Sequence, residues 1–130
     1  MKTKILHYPE NGVLEIIATG ELCNDKACDL MQITLGHITS SLAFRLVIDL
    51  RATRLNHGFS LFNLYRLVEN FRQATVCRDV QILILSRGEE KKRRYLERAA
   101  GQAGIDLQNF SSRADIREWL GGQSSFEGIR

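Results

Sequence analysis

The sequence predicts an α/β domain built on a mixed, mostly parallel five-stranded sheet with an N-terminal antiparallel hairpin and about four helices. Strand-like and helix-like hydrophobic periods alternate along its 130 residues in the order β-β-α-β-α-β-α-β-α. No repeat, linker or low-complexity segment interrupts that alternation, so one domain is expected over 1–121 and a C-terminal tail over 122–130. Strands separated by helices of this length imply crossover connections, hence parallel pairing everywhere but in the opening hairpin.

Lys2 to Tyr8 and Val13 to Thr19 are two β-rich runs joined by Pro9-Glu10-Asn11-Gly12, whose Asn-Gly pair can supply the positive φ of a tight turn. In the second run Leu14, Ile16 and Ala18 alternate with Val13, Glu15, Ile17 and Thr19. Both sets are mainly apolar, which places this strand inside the sheet. From Asn24 to about Ser40 the period lengthens: Ala27, Met31, Leu35 and Ile38 form a helical stripe widened by Leu30 and Thr34. Asn24 is the expected N-cap, and Asp25 and Asp29 suit the positive end of the helix dipole.

Leu46-Val47-Ile48-Asp49-Leu50 reads as a short strand. A loop from Arg51 to Ser60 is expected next, then a helix carrying Leu61, Leu64, Tyr65, Val68 and Phe71. Val80 and Ile82 to Leu85 form the most continuously apolar run and are expected at the sheet centre. Ser86-Arg87-Gly88-Glu89 fits a capping box opening a helix with Tyr95, Leu96, Ala99, Ala100 and Ala103 toward the sheet, ended by Gly104. Ile105 to Phe110 is a last strand, and Ser112 caps a helix bearing Ile116, Trp119 and Leu120 before Gly121-Gly122.

Composition narrows the class. Hydrophobic residues make up 44% and charged residues 25%, with ten glycines and one proline, which excludes collagen-like and disordered chains. Cys23, Cys28 and Cys77 are odd in number and lack Cys-x-x-Cys spacing, so reduced thiols are expected. The amino-terminal residues lack the apolar run of a secretory signal, and no stretch reaches the roughly 18 apolar residues of a membrane helix, so a cytoplasmic protein without membrane insertion is expected. The formal charge of +3 comes from the second half, mainly Arg87, Lys91, Lys92, Arg93, Arg94 and Arg98. Glu89 and Glu90 stand four residues before Arg93 and Arg94, and Arg93 four before Glu97, which marks a salt-bridged solvent face rather than a nucleic-acid footprint. No nucleic-acid partner is expected.

Parallel crossovers gather the carboxyl ends of strands and the amino ends of helices on one side, where open α/β sheets bind ligands. That edge would collect Glu21 to Asn24, Arg51 to Ser60, Ser86 to Gly88, and Phe110 to Arg113. Arg51, Arg54, Arg87 and Arg113 beside helix amino ends could draw an anion, although every helix start needs caps without binding anything. Cys23, His57 and Ser60 are the nucleophile or base types there, but no Gly-x-Ser-x-Gly, Cys-x-x-Cys or acidic pair surrounds them, so no catalytic residue is assigned and a non-enzyme is expected. His7, His37 and His57 lie in different elements, which gives no metal-ligand spacing, and Gly58 and Gly88 are single glycines, which gives no nucleotide loop. No cofactor is expected. Tyr65, Phe71, Tyr95 and Trp119 are assigned to helix faces against the sheet, whereas Phe59 and Phe62 lie off the stripe and mark a contact patch, for which self-association as a homodimer is the simplest occupant.

The element order, the Val47 to Leu50 strand, the helix a few residues later, the apolar strand Val80 to Leu85, and Phe110 followed by Ala114-Asp115-Ile116-Arg117-Glu118-Trp119-Leu120 resemble the STAS superfamily, and within it the SpoIIAA-like branch. The likeness spans about residues 1 to 121. It implies a mixed sheet covered by helices and a mostly non-enzymatic interaction module, some relatives acting in anti-sigma-factor partner switching and the branch also being compared with lipid-binding CRAL-TRIO domains. In the switching members a serine of Asp-Ser-Ser-Gly-Leu accepts the regulatory phosphate. An ungapped match from Asp49-Leu50 sets His57-Gly58-Phe59-Ser60-Leu61 there, so the acceptor position is Gly58 and Ser60 is a displaced substitute.

The resulting expectation is a cytosolic STAS-like interaction domain that binds a protein partner through Arg51, Arg54, His57, Phe59, Ser60, Phe62, Ser86 and Arg87. The alternative is a binder of a small apolar or anionic, lipid-like ligand held between helices and sheet.

Overall fold

In a computed structural model, five strands form one sheet in the order β1-β2-β3-β4-β5, every neighbour in space being a neighbour in sequence. The structure describes residues 2–41, 43–55, 66, 69–70, 80–87, 90–102 and 104–119. The strands are β1 (Lys2–Tyr8), β2 (Val13–Leu22), β3 (Arg45–Leu55), β4 (Gln81–Leu85) and β5 (Leu107–Phe110). Three helices are bounded among the described residues: α1 (Asn24–Thr39), α2 (Glu90–Gln102) and α3 (Arg113–Trp119). β1 and β2 are antiparallel, and every other pair is parallel. The helix expected from Leu61 to Phe71 lies mostly outside the described residues, within which Arg66, Glu69 and Asn70 are helical.

Alternation in β2 and β3 sends two apolar sets to opposite faces. Leu14, Ile16, Ala18, Leu46, Ile48, Ile82, Ile84 and Leu107 meet Ala27, Leu30 and Ile38 of α1 and Leu96 and Ala100 of α2. Val13, Val47, Leu83 and Leu85 meet Ile116 of α3, with Tyr8 and Phe110 packed beside them. Both faces are therefore covered, which is why β4 reads as an unbroken apolar run. The sheet centre is nonetheless β3, not β4, because β5 closes that side as an edge.

The local signals are realised with some shifts. Gly12 takes φ 66° after a short 3-10 turn at Pro9–Asn11, so one left-handed residue, rather than the two of a type I′ hairpin, reverses the chain. Cys23, not Asn24, is the N-cap of α1, its carbonyl accepting the Ala27 N–H at 2.9 Å. Gly104 does end α2 with φ 78°, the Ile105 N–H returning to the Ala100 carbonyl. Ser112 caps α3 by accepting the Asp115 N–H at 3.1 Å. Tyr95 is 55% exposed and Trp119 43% exposed, so neither is the core residue its stripe suggested. In α2 the buried line is the narrow pair Leu96 and Ala100, and Tyr95 stands one position off it.

β3 runs on to Leu55, correcting the expected loop: Arg51 and Arg54 are strand residues. The polar stretch Ala52–Arg54 pairs with Thr19–Glu21 of β2, so the two strands continue as a ribbon. The register jumps between Ile17↔Asp49 and Thr19↔Ala52, inserting one extra residue in β3, and pairing with β4 stops at Asp49↔Leu85.

Candidate functional site

The bulge after Asp49 sits where β3 parts from β4, and a single carboxylate organises it. Asp49 accepts the Arg51 backbone N–H at 3.1 Å, the Arg51 Nε at 3.0 Å and the Arg51 Nη2 at 2.9 Å. Such a forked contact fixes the guanidinium in orientation as well as in place. Thr53 Oγ1 donates to the Leu50 carbonyl at 2.6 Å and closes the bend from the other side.

Asp49 is 5% exposed. Burial acts to raise its pKa, but the side-chain and backbone hydrogen bonds from Arg51 outweigh this and hold the carboxyl below the ordinary aspartate range. The same contact raises the already high pKa of Arg51. On the same sheet face Glu15 is fully buried, and Arg113 Nη2 at the first turn of α3 donates to its Oε2. Burial dominates here and pushes the Glu15 carboxyl up, with Arg113 opposing and Asp49 adding to the rise. Tyr8 is raised chiefly by burial and next by the charge of Glu15. Glu15, Asp49, Arg51 and Arg113 thus form one electrostatically coupled cluster of two carboxyl and two guanidinium groups.

Of the eight residues expected to bind, four are described. Arg51 is half-buried and committed to Asp49. Arg54 is exposed and lies opposite Glu21. Ser86 is half-buried: its hydroxyl donates to Asn109 Oδ1 at 2.9 Å, while Glu89, the partner in its expected capping box, lies outside the described residues. Arg87 is exposed. His57, Phe59, Ser60 and Phe62 lie outside the described residues. Because Asp49 and Leu85 are register partners, β4 ends, and Ser86–Arg87 follow it, level with the bulge after Asp49 that carries Arg51, while β3 itself continues to Leu55. Phe110 pairs with Leu85, which brings Ser111 to Arg113 to that end too.

Two of the four arginines expected to draw an anion, Arg51 and Arg113, are matched by carboxylates within the fold. Sequence reasoning missed Glu15, and the available signal was a lone carboxylate in a strand apolar on both faces, a position that demands a cation. Among the described residues no group of three or more His, Cys, Asp and Glu could hold a metal ion, and no helix is long and apolar enough to cross a membrane.

Solved structures share the fold. The anti-sigma factor antagonist SpoIIAA, in its unphosphorylated form, is similar with a TM-score of 0.56 and 10% identity, over 93% of this chain and 99% of that one. The fold is SpoIIAA-like. A DUF3478-family protein from Shewanella loihica, described as having the same fold, is similar with a TM-score of 0.57 and 15% identity, over 92% of each chain. No protein-family model matches the sequence, and no curated protein does. Both likenesses cover more than nine-tenths of this chain and bear out the expected fold.

Proposed function

We propose that this protein is a non-enzymatic regulatory domain of the STAS type that docks a protein partner on the carboxyl edge of its sheet, through Arg51 to Ser60, the residues that follow including Phe62, and Ser86 to Gly88. The observation that carries this reading is the parallel register of Asp49 with Leu85, which sets the bulge bearing Arg51 and the residues that follow β4 at the same end of two neighbouring strands. Asp49 holds the Arg51 guanidinium in one orientation at that end of the sheet. The commitment of Arg51 and Arg113 to internal carboxylates favours a protein surface over a free anion, leaving exposed Arg54 and Arg87 as rim charges that steer an acidic partner. SpoIIAA, an anti-sigma factor antagonist, lends the analogy of a fold that works by protein contact.

Phosphate control through the family's acceptor serine is not part of the proposal, since Gly58 stands at that position. Pull-down with wild type, Phe59→Asp and Arg54→Glu tests the reading. Partner recovery is expected to fall for both variants, and equal recovery from all three would count against this surface. Native mass spectrometry of freshly purified protein addresses the alternative ligand: a bare mass supports protein docking, and a co-purifying small molecule overturns it in favour of a ligand binder.

A further inference from the structure

His7 near the end of β1 and His37 in the last turn of α1, thirty residues apart in sequence, meet with Nε2 and Nδ1 3.2 Å apart. Their rings lie 5.3 Å apart between centroids and tilt by 53°. A neutral imidazole carries one unprotonated ring nitrogen, the form that binds metals, and which nitrogen that is depends on the tautomer. Two imidazole nitrogens bound to one tetrahedral ion at roughly 2.05 Å are about 3.3 Å apart. The observed separation of 3.2 Å is close to that span, and a turn of the rings that brings both lone pairs onto one ion, displacing the proton between them, would complete the bite.

We propose that the juxtaposed His7 and His37 form a two-imidazole site for a borderline divalent transition metal, filled in the order Cu²⁺ above Ni²⁺ and Zn²⁺. An all-imidazole donor pair selects these ions over Mg²⁺ and Ca²⁺, which take oxygen ligands. The backbones are fixed: His7 pairs in register with Leu14, and His37 precedes the fully buried Ile38. The rings themselves sit at the surface, His7 exposed and His37 half-buried, so the remaining coordination positions open to water or to a small exogenous ligand. Metal binding here clips the edge strand β1 to α1, and it should stabilise the fold by mass action. The pair lies at the hairpin end of the sheet, away from the docking edge, so it stands or falls independently of the proposed partner surface.

Calorimetric titration of the full chain with Cu²⁺, then Zn²⁺, tests the site against His7→Ala, His37→Ala, the double variant and His57→Ala. Either single substitution is expected to weaken Cu²⁺ binding by roughly tenfold or more, with the double variant losing far less than the sum of the two single losses, because most of the affinity goes when either arm of a chelate is lost. His57→Ala should bind like wild type, and Zn²⁺ should raise the melting temperature of wild type but not of His37→Ala. Wild-type affinity in either single variant, or additive losses showing two independent surface histidines, would overturn the proposal.

Discussion

Arg113, at the first position of α3, donates through Nη2 to the fully buried carboxylate of Glu15 on β2, a contact across 98 residues of sequence. Ile116 supplies a buried apolar contact of the same helix and Arg113 a polar one, while Trp119 meets Phe110 of β5 edge-on with ring centroids 5.7 Å apart.

Removing one member of that pair leaves the other charge buried. Arg113→Met should destabilise the fold by about 3 kcal/mol, the range seen when a buried pair loses one partner. The double variant Glu15→Leu with Arg113→Met should recover most of that loss, because an apolar pair of similar volume avoids the desolvation cost. Urea denaturation of the three proteins reads both effects.

The two buried carboxylates pull stability in opposite directions with pH. Glu15 has a raised pKa when folded, so the folded state holds more protons than the unfolded one between the ordinary glutamate range and the raised value, and stability falls as pH rises through that window. Asp49 has a lowered pKa, so its contribution is present above the ordinary aspartate range and is lost as pH falls below it. Urea midpoints measured across acidic to neutral pH should decline on the neutral side for wild type, and Glu15→Gln should flatten that decline while keeping the acid loss.

Gly12 has two reasons to remain glycine. Its φ is 66°, which costs a residue with a side chain roughly 1–2 kcal/mol, and an added Cβ would run into the Phe44 ring. Gly12→Ala should therefore destabilise by more than that conformational cost, and Phe44→Ala in the same chain should remove only the steric part. Thermal melting of the single and double variants separates the two contributions.

Asp49→Asn keeps an acceptor for the Arg51 backbone but gives up the charged fork. A stability loss of about 1 kcal/mol is expected, together with a larger proportional loss of partner recovery, since Arg51 would no longer be held in one orientation. Equal partner recovery at full folding would separate Arg51 from the docking surface.

Much of the fold was legible because its signals are local. The double alternation of Val13 to Thr19, the three- and four-residue steps from Ala27 to Ile38 and the left-handed Gly104 each depend on neighbours within a few positions. The end of β3 was not legible, because Arg51-Ala52-Thr53-Arg54 is polar and becomes a strand only by pairing with Thr19–Leu22. Tyr95 misled because its spacing fits the α2 stripe, while among the described residues of α2 the fully buried apolar ones are Leu96 and Ala100. At the site, Ser86 and Arg87 do follow the end of β4 as the strand pattern suggested, whereas Arg51 and Arg54, expected in a loop, lie within β3. Glu15 with Arg113, and His7 with His37, are meetings of distant segments that no local period encodes.

The docking edge is tested most directly by quantitative partner recovery from a matched set of exposed charge reversals. Arg54→Glu and Arg87→Glu alter the carboxyl edge, and Glu10→Lys alters the hairpin turn at the other end of the sheet. Recovery should fall for the two edge variants and hold for Glu10→Lys, with all three folded by circular dichroism; full recovery from Arg54→Glu and Arg87→Glu, or a loss confined to Glu10→Lys, would contradict a partner surface at the carboxyl edge.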